Sequence, residues 1–117
     1  MKLYHFTCSH AAEQIAVGMV LKPFTQIQLD GRTLIWLTDL ESPDRADIGL
    51  TSTVLHCDRM EYRATVDADA DHWPAYLRKQ PRDVRLAARA LTVNGGLPMH
   101  WYVSRWPVPV LSLERVP

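Results

Sequence analysis

The fold is decided by an N-terminal stretch, Leu-Tyr-His-Phe-Thr at residues 3–7, which is rich in aromatic and other strand-forming side chains. Because side chains alternate along a strand, His5 and Thr7 share one face of it. A histidine and a threonine on one face, at the end of a strand that leads into a helix, can hydrogen-bond a ribose together with a carboxamide or a phosphate. A core histidine whose ring bonds to the backbone is the alternative for His5.

A short helix is predicted directly after this strand. Ser9 can cap its N-terminus, Glu13 lies in its first turns, and Gly18 suits its C-terminal cap. Apolar residues recur between them at helical spacing, at Ala12, Ile15, Ala16 and Met19. The chain is therefore predicted to begin with a strand, a turn, a short helix and a glycine.

Two further strands follow from the hydrophobic pattern. Residues 34–38, Leu-Ile-Trp-Leu-Thr, come after the turn signal Asp30-Gly31 and are nearly all apolar, which predicts a strand buried on both faces. Residues 61–66, Glu-Tyr-Arg-Ala-Thr-Val, alternate in polarity. This second stretch predicts a strand with one face in water.

The remaining elements are short and unevenly spaced. We expect an extended piece over 20–24, a helical turn from Ser42 closed by Gly49, a loop over 51–53, helices over 73–77 and 83–93, a stop at Asn94-Gly95-Gly96, and strands over 100–105 and 108–113. This alternation predicts the α+β class, with residues 1–117 as a single domain. Its sheet is expected to be mixed, split and strongly bent, with a few flanking helices.

Composition narrows the class of protein. The 117 residues carry 13 basic and 13 acidic side chains, so the formal net charge is zero. Proteins that bind nucleic acid mainly by neutralising its phosphates usually have an excess of basic residues, so this composition argues against that class. A local basic patch is compatible with that balance. The two cysteines do not make a disulfide framework, and neither a signal peptide nor an apolar run long enough for a membrane span is present. We therefore expect a cytoplasmic protein.

Metal ligation is not expected from the candidate ligands. Cys8-Ser9-His10 and His56-Cys57 supply sulfur and nitrogen ligands, but neither pair has the spacing that places two ligands around one tetrahedral ion. The acidic run Asp67, Asp69 and Asp71 has the alternate spacing of a calcium loop. It lacks the central glycine and the closing glutamate, which favours a solvated loop.

The glutamates are the candidate catalytic carboxylates. A carboxylate can hold a ribose and stabilise an oxocarbenium-like centre, and Glu61 and Glu114 are the two that lie on predicted strands. The alternative for each is an exposed ion pair with Arg63 or Arg115. Sequence alone leaves both roles open.

The stretches at 4–7 and 35–38, with Ile15, Gly18 and Leu21 between them, resemble the ADP-ribosyltransferase superfamily. The similarity is closest to small members such as the RNA 2′-phosphotransferases and the DNA-modifying transferase toxins, and it covers roughly the first 40 residues. It implies an ADP-ribosyltransferase-like fold with NAD as the substrate and no metal. The family's third-motif glutamate has no obvious match in this chain, where a late strand carries His100-Trp101-Tyr102 instead.

The resemblance also implies roles for particular residues. His5 would contact the adenosine-side ribose, Thr7 would help hold the nicotinamide end, and Trp36 and Thr38 would line the nicotinamide pocket. Catalytic assistance would then come from Glu61 or His100. The implied activity is transfer of ADP-ribose from NAD to a protein or nucleic-acid acceptor.

A second function class remains open on the residues. A chain of this size with four Trp and four Tyr leaves some aromatic rings for the surface, where such rings form binding hot spots. The chain would then be a non-catalytic nucleotide-binding or protein-interaction module. A phage or mobile-element origin, with a host factor as the target, fits its small size. Consumption of NAD separates the two classes.

Overall fold

The computed structural model describes residues 1–26, 29, 31–50, 58–92 and 96–117, and these form nine strands and three α-helices in one small α+β domain. The strands are β1 Lys2–Thr7, β2 Val20–Leu21, β3 Phe24–Gln26, β4 Arg32–Thr38, β5 Tyr62–Asp67, β6 Asp71–His72, β7 Trp101–Ser104, β8 Val108–Pro109 and β9 Ser112–Arg115. The helices are α1 Ser9–Gly18, α2 Trp73–Arg78 and α3 Arg82–Ala88, with 3-10 turns at Ala46–Ile48, Arg89–Thr92 and Pro98–His100. The α+β class predicted from the sequence is confirmed.

Seven strands form the main sheet, in the order β6-β7-β4-β1-β5-β9, with β3 paired to β4 outside this path. A separate ribbon is formed by β2 and β8. Each pair among the described strands is antiparallel, so the sheet is antiparallel rather than mixed. Parallel neighbours need a crossover connection on one face, and no such unit is formed by the described elements.

The sheet is divided at its centre, between β1 and β4. Strand β1 pairs with β5 at six positions, from Lys2 opposite Asp67 to Thr7 opposite Tyr62. Against β4 it pairs at a single position, Tyr4 opposite Thr38. The junction between the two halves of the sheet therefore lacks a continuous backbone ladder, and we call it the β1–β4 seam.

Two hydrophobic clusters lie on the two sides of the sheet. The first includes Leu3, Leu21, Ile35, Leu37, Ala64, Val66, Val108 and Val110, with Ile15 and Met19 from the end of α1 packed against it. The second includes Leu29, Leu34, Trp73, Tyr76, Ala88, Trp101 and Val103 and lies beneath α2 and α3. Because Leu34 and Ile35 belong to different clusters, β4 is buried on both faces, as its apolar run predicts.

Helix α1 is capped differently from the prediction. Cys8 is the N-cap residue and Ser9 already has helical geometry, without a side-chain bond at the cap. At the other end Gly18 is the last helical residue, and Met19 takes the left-handed cap at a φ of 51°. The Met19 side chain packs on the first cluster, which offsets the strain of a non-glycine residue in this conformation.

Other boundaries move by a few residues. The predicted helix over 83–93 becomes α3 and a 3-10 turn, and His100 closes another 3-10 turn before β7 begins. The middle of β5, Ala64–Val66, is buried throughout, so this strand lacks the continuous wet face expected of it. The predicted loop over 51–53, the pair His56-Cys57, Asp30, and Asn94-Gly95 lie outside the described residues.

Candidate functional site

The β1–β4 seam holds the first candidate site residue. His5 is half-buried there, and its Nδ1 lies 2.8 Å from the main-chain oxygen of Trp36 on the other side of the seam. A side chain thus supplies the hydrogen bond that the missing backbone ladder would have made. His5 and Trp36, which the sequence placed in two separate motifs, are joined directly.

The environment of His5 fixes its protonation. Burial lowers the pKa of His5, and the positive charge of Arg59 lowers it further, while the hydrogen bond to the Trp36 oxygen acts in the opposite direction. The ring is therefore neutral at pH 7. Since a carbonyl oxygen only accepts, Nδ1 carries the proton and Nε2 presents a lone pair, which can accept a hydrogen bond from a hydroxyl group.

The indole ring of Trp36 does not contact His5. Its indole lies on the opposite face of β4 from its carbonyl partner His5, where it packs against Trp73 at 4.7 Å and Trp101 at 5.8 Å between ring centroids. The indole N–H donates to Gln26 Oε1 at 3.0 Å. The main chain of Trp36, and not its ring, is what meets His5.

The two candidate threonines are buried near this seam. Thr7 ends β1 opposite Tyr62, and Thr38 ends β4 opposite Tyr4. The Thr38 hydroxyl accepts from the amide of Leu40 at 3.2 Å, so it closes the turn that follows β4. Its first role is therefore local structure.

Glu61 lies in a groove of about 590 Å³ just before β5. Its lining, which is largely charged at the described positions, consists of Pro43, Asp44, Arg45, Asp58, Met60, Glu61, Arg115, Val116 and Pro117. Glu61 Oε1 is 3.5 Å from an Arg115 nitrogen, and Arg45 pairs with Asp58 at 2.6 Å. His5 is not among the residues that line this groove.

Both candidate glutamates make the ion pairs that the sequence offered as their alternative role. Glu61 faces Arg115, and Glu114 accepts from Arg63 at 2.8 Å across β5 and β9. The guanidinium of Arg63 also donates to the Glu41 carbonyl and lies 5.8 Å above the Tyr4 ring. Arg63 is mostly buried, whereas Glu114 is about half exposed, so the pair joins β5 to β9 at the edge of the sheet.

His100 belongs to a different cluster, which the sequence did not reveal. Its Nδ1 lies 2.7 Å from Asp39 Oδ1, and the Tyr102 hydroxyl is 3.5 Å from the other oxygen of that carboxylate. Burial and the negative charge of Asp39 raise the pKa of Tyr102. His100 is 42 % exposed, so this pair presents an oriented imidazole to solvent. The available sequence signal was the position of Asp39 directly after a buried strand.

The two candidate catalytic residues are far apart in the sheet. Glu61 adjoins the pair formed by Thr7 and Tyr62, at the C-terminal end of β1. His100 bonds through its main-chain oxygen to the amide of Asp39, beyond the Tyr4 and Thr38 pair near the other end. About five residues of strand separate these ends, or roughly 16 Å at 3.3 Å per residue. Glu61 and His100 therefore cannot act on the same bond.

Comparison with known proteins adds no assignment. No protein-family model, curated protein or solved structure matches this chain. Within the described part of the chain, no group of three or more His, Cys, Asp or Glu side chains is placed to hold a metal ion. None of the helices described is long and apolar enough to span a bilayer.

Proposed function

We propose that this domain binds NAD at the β1–β4 seam and transfers ADP-ribose to a macromolecular acceptor, protein or nucleic acid. The observation that carries the proposal is the hydrogen bond between His5 Nδ1 and the Trp36 oxygen. It joins the two motifs on which the resemblance to ADP-ribosyltransferases rests. It also leaves the Nε2 lone pair of a neutral ring free to accept a hydrogen bond from a ribose hydroxyl.

The divided sheet supports the same proposal. Binding sites for small ligands need a few well-placed polar groups, and the seam interrupts the sheet beside a half-buried histidine. On this proposal Thr7, which ends β1 two residues after His5 and on the same face, contacts the nicotinamide end, as the family resemblance implies. Thr38 ends the antiparallel strand β4 toward the opposite end of the seam.

Glu61 is the better catalytic candidate of the two. Its position beyond the Thr7 end of β1 puts it next to the strand that carries His5, and it lines a groove with room for an acceptor group. In this role the Glu61 carboxylate would stabilise positive charge on the ribose as the bond to nicotinamide breaks. Arg115, 3.5 Å away, can orient that carboxylate.

Calorimetric titration with NAD tests the proposal directly. We expect wild type to bind NAD and the His5→Ala variant to bind it about ten- to a hundredfold more weakly, because a ribose hydroxyl loses its acceptor in a partly desolvated site. His10→Ala is the matched control, since His10 is exposed on α1. Circular dichroism checks that each variant is folded at the temperature of titration.

The same titration distinguishes the competing function classes. Equal affinity of wild type and the His5→Ala variant would make His5 structural and contradict the proposed binding site. An absence of both NAD binding and nicotinamide release in wild type would contradict the enzymatic proposal as a whole. The domain would then be classed as a binding module, the second class that the sequence allows.

A further inference from the structure

Charge is separated along the chain although the net charge is zero. Residues 1–71 contain eleven acidic and six basic side chains, whereas residues 72–117 contain two acidic and seven basic ones. The second part, with a formal charge of +5, includes α2 and α3, which cover the face of the sheet formed by β4 and β7. Because five of these seven basic side chains lie on or next to α2 and α3, the face that the two helices cover is basic.

The densest part of this basic face runs from the end of α2 through α3. Five cations and one acid occur between residues 78 and 89, and the cations are Arg78, Lys79, Arg82, Arg85 and Arg89. All five are exposed, and none forms an ion pair with a residue that the structure describes. Unpaired arginines in this density can bind several phosphate groups along a chain.

Two further arginines lie close to α2. Burial raises the pKa of Tyr76 of α2, and the negative charge of Asp71 acts in the same direction. The positive charges of Arg32, at the start of β4, and Arg105, after β7, oppose this shift, so both arginines lie close to α2. Neither arginine is paired with a described acidic residue. The ends of β4 and β7 therefore extend the basic surface beyond α2.

Exposed aromatic rings lie beside these arginines. Trp106 follows Arg105 directly and is 71 % exposed, and Phe24, opposite Leu34 on β3, is 61 % exposed. Phe24 lies two residue pairs from Arg32 along the same two strands. Each ring exposes an apolar face that stacking on a base would cover.

We propose that this surface, formed by α2, α3, Arg32, Arg105, Phe24 and Trp106, binds single-stranded nucleic acid. The cations would neutralise the phosphates, and the two rings would stack on unpaired bases. A duplex offers the phosphates but keeps its bases stacked on one another. An acidic protein would satisfy the arginines and leave the aromatic rings without a specific role.

This surface is independent of the NAD site proposed above. It lies over the second hydrophobic cluster, whereas the neighbours of His5 on its own face of β1 and β5, Leu3 and Ala64, belong to the first. The binding test therefore contains no NAD, and its outcome says nothing about the proposed transferase activity.

Fluorescence anisotropy on the full chain tests the proposal. The probes are labelled oligothymidylate and oligouridylate, a duplex of the same length, and unlabelled polyglutamate as a competitor. We expect both single strands to bind, with an affinity that falls steeply as salt rises, and to bind at least tenfold more tightly than the duplex. A preference between the two single strands identifies DNA or RNA as the natural ligand.

Variants separate stacking from simple charge attraction. Trp106→Ala and Phe24→Ala should each weaken single-strand binding about five- to hundredfold, the range for loss of one stacked base. The double change Arg82→Gln and Arg85→Gln should reduce the salt dependence as well as the affinity. Leu111→Ala, which removes an apolar side chain that is 65 % exposed, and Lys2→Gln, on the first strand, are the controls.

Three results would overturn the proposal. One is an absence of single-strand binding at low salt, and another is equal binding of duplex and single strand with no effect of the aromatic variants. The third is displacement of the oligonucleotide by polyglutamate at equal charge concentration, which would point to an acidic protein as the occupant. All substituted residues are exposed or at strand ends, so thermal melts should show folded variants.

Discussion

His5 Nδ1 lies 2.8 Å from the carbonyl oxygen of Trp36, across the β1–β4 seam. Only one residue pair, Tyr4 and Thr38, joins the two strands there. A main-chain carbonyl inside a sheet needs a donor, and here an imidazole provides it. His5 is thus part of the structure as well as the candidate ligand-binding group. Any measurement on His5 must separate these two roles.

The structural role predicts a loss of stability. His5→Ala leaves the Trp36 oxygen without its donor in a partly buried seam, so the free energy of unfolding should fall by about 1–3 kcal/mol. Urea denaturation of wild type and variant measures this difference. His10→Ala, at an exposed position, should change stability by less than about 0.5 kcal/mol. Equal stability of the two variants would show that the bond to Trp36 contributes nothing.

The lowered pKa of His5 predicts a pH dependence with a defined sign. An unfolded histidine titrates near 6.5, and the folded value lies below it, so between the two the unfolded state binds more protons. Stability from neutral His5 is therefore complete above pH 6.5. It is lost as the pH falls through 6.5 toward the folded value. Denaturation curves at several pH values should show this loss in wild type and in the His10→Gln variant.

The His5→Gln variant should lose this part of the pH dependence, because the titrating group is gone. Proton NMR of the histidine ring signals gives an independent check, since the His5 signal should titrate below the signal of an unfolded histidine. A His5 signal that titrates at or above 6.5 would contradict the neutral, Nδ1-protonated ring on which the proposed ribose contact depends.

The end of α1 provides a test of backbone strain. Met19 is left-handed, so Met19→Gly should leave a protein about 1 kcal/mol more stable than Met19→Ala, although both variants remove the same packing. Gly18, by contrast, has helical geometry, and a Cβ there would meet no atom within 4 Å. Gly18→Ala should therefore stabilise the protein by about 0.5–1 kcal/mol. Chemical denaturation of the three variants measures both effects.

Local patterns predicted the strands and helices well, whereas the contacts between them could not be predicted. Residues 3–7 and 34–38 predict two central strands correctly, because the pattern of apolar residues within each stretch is enough to indicate a buried strand. The C-terminal cap of α1 is Met19 and not the predicted Gly18, because packing of the Met19 side chain outweighs the preference for glycine in the left-handed conformation. This preference is a difference of only about 1 kcal/mol.

Which candidate residues lie close together depends on the register of the strands, and register cannot be read from a single sequence. Asp39 reaches His100 across 61 residues because β4 pairs with β7, and His5 reaches the Trp36 oxygen because β1 and β4 separate after one pair. The same limit applies to Glu61 and His100, which the sequence named together as catalytic candidates. Only the antiparallel registers place them at different ends of the sheet.

That separation yields the last prediction, on turnover. If Glu61 stabilises the charge that develops on the ribose, Glu61→Gln should lower the rate of nicotinamide release about a hundredfold or more. Its affinity for NAD should stay close to wild type, because the carboxylate acts mainly in the transition state. His100→Ala should leave turnover nearly unchanged, since His100 lies about 16 Å away along the strands. Chromatography of released nicotinamide and calorimetry of NAD binding provide the two measurements.

The opposite result for the two variants would identify His100 as the catalytic residue. A large loss in the His100→Ala variant, with Glu61→Gln close to wild type, would place the reaction at the Asp39 end of the sheet. Asp39→Asn should then lower turnover too, because the neutral amide no longer balances the positive charge of a proton gained by His100. Arg115→Gln separates the two cases further. It removes the ion pair with Glu61 and should reduce turnover only if Glu61 is the catalytic carboxylate.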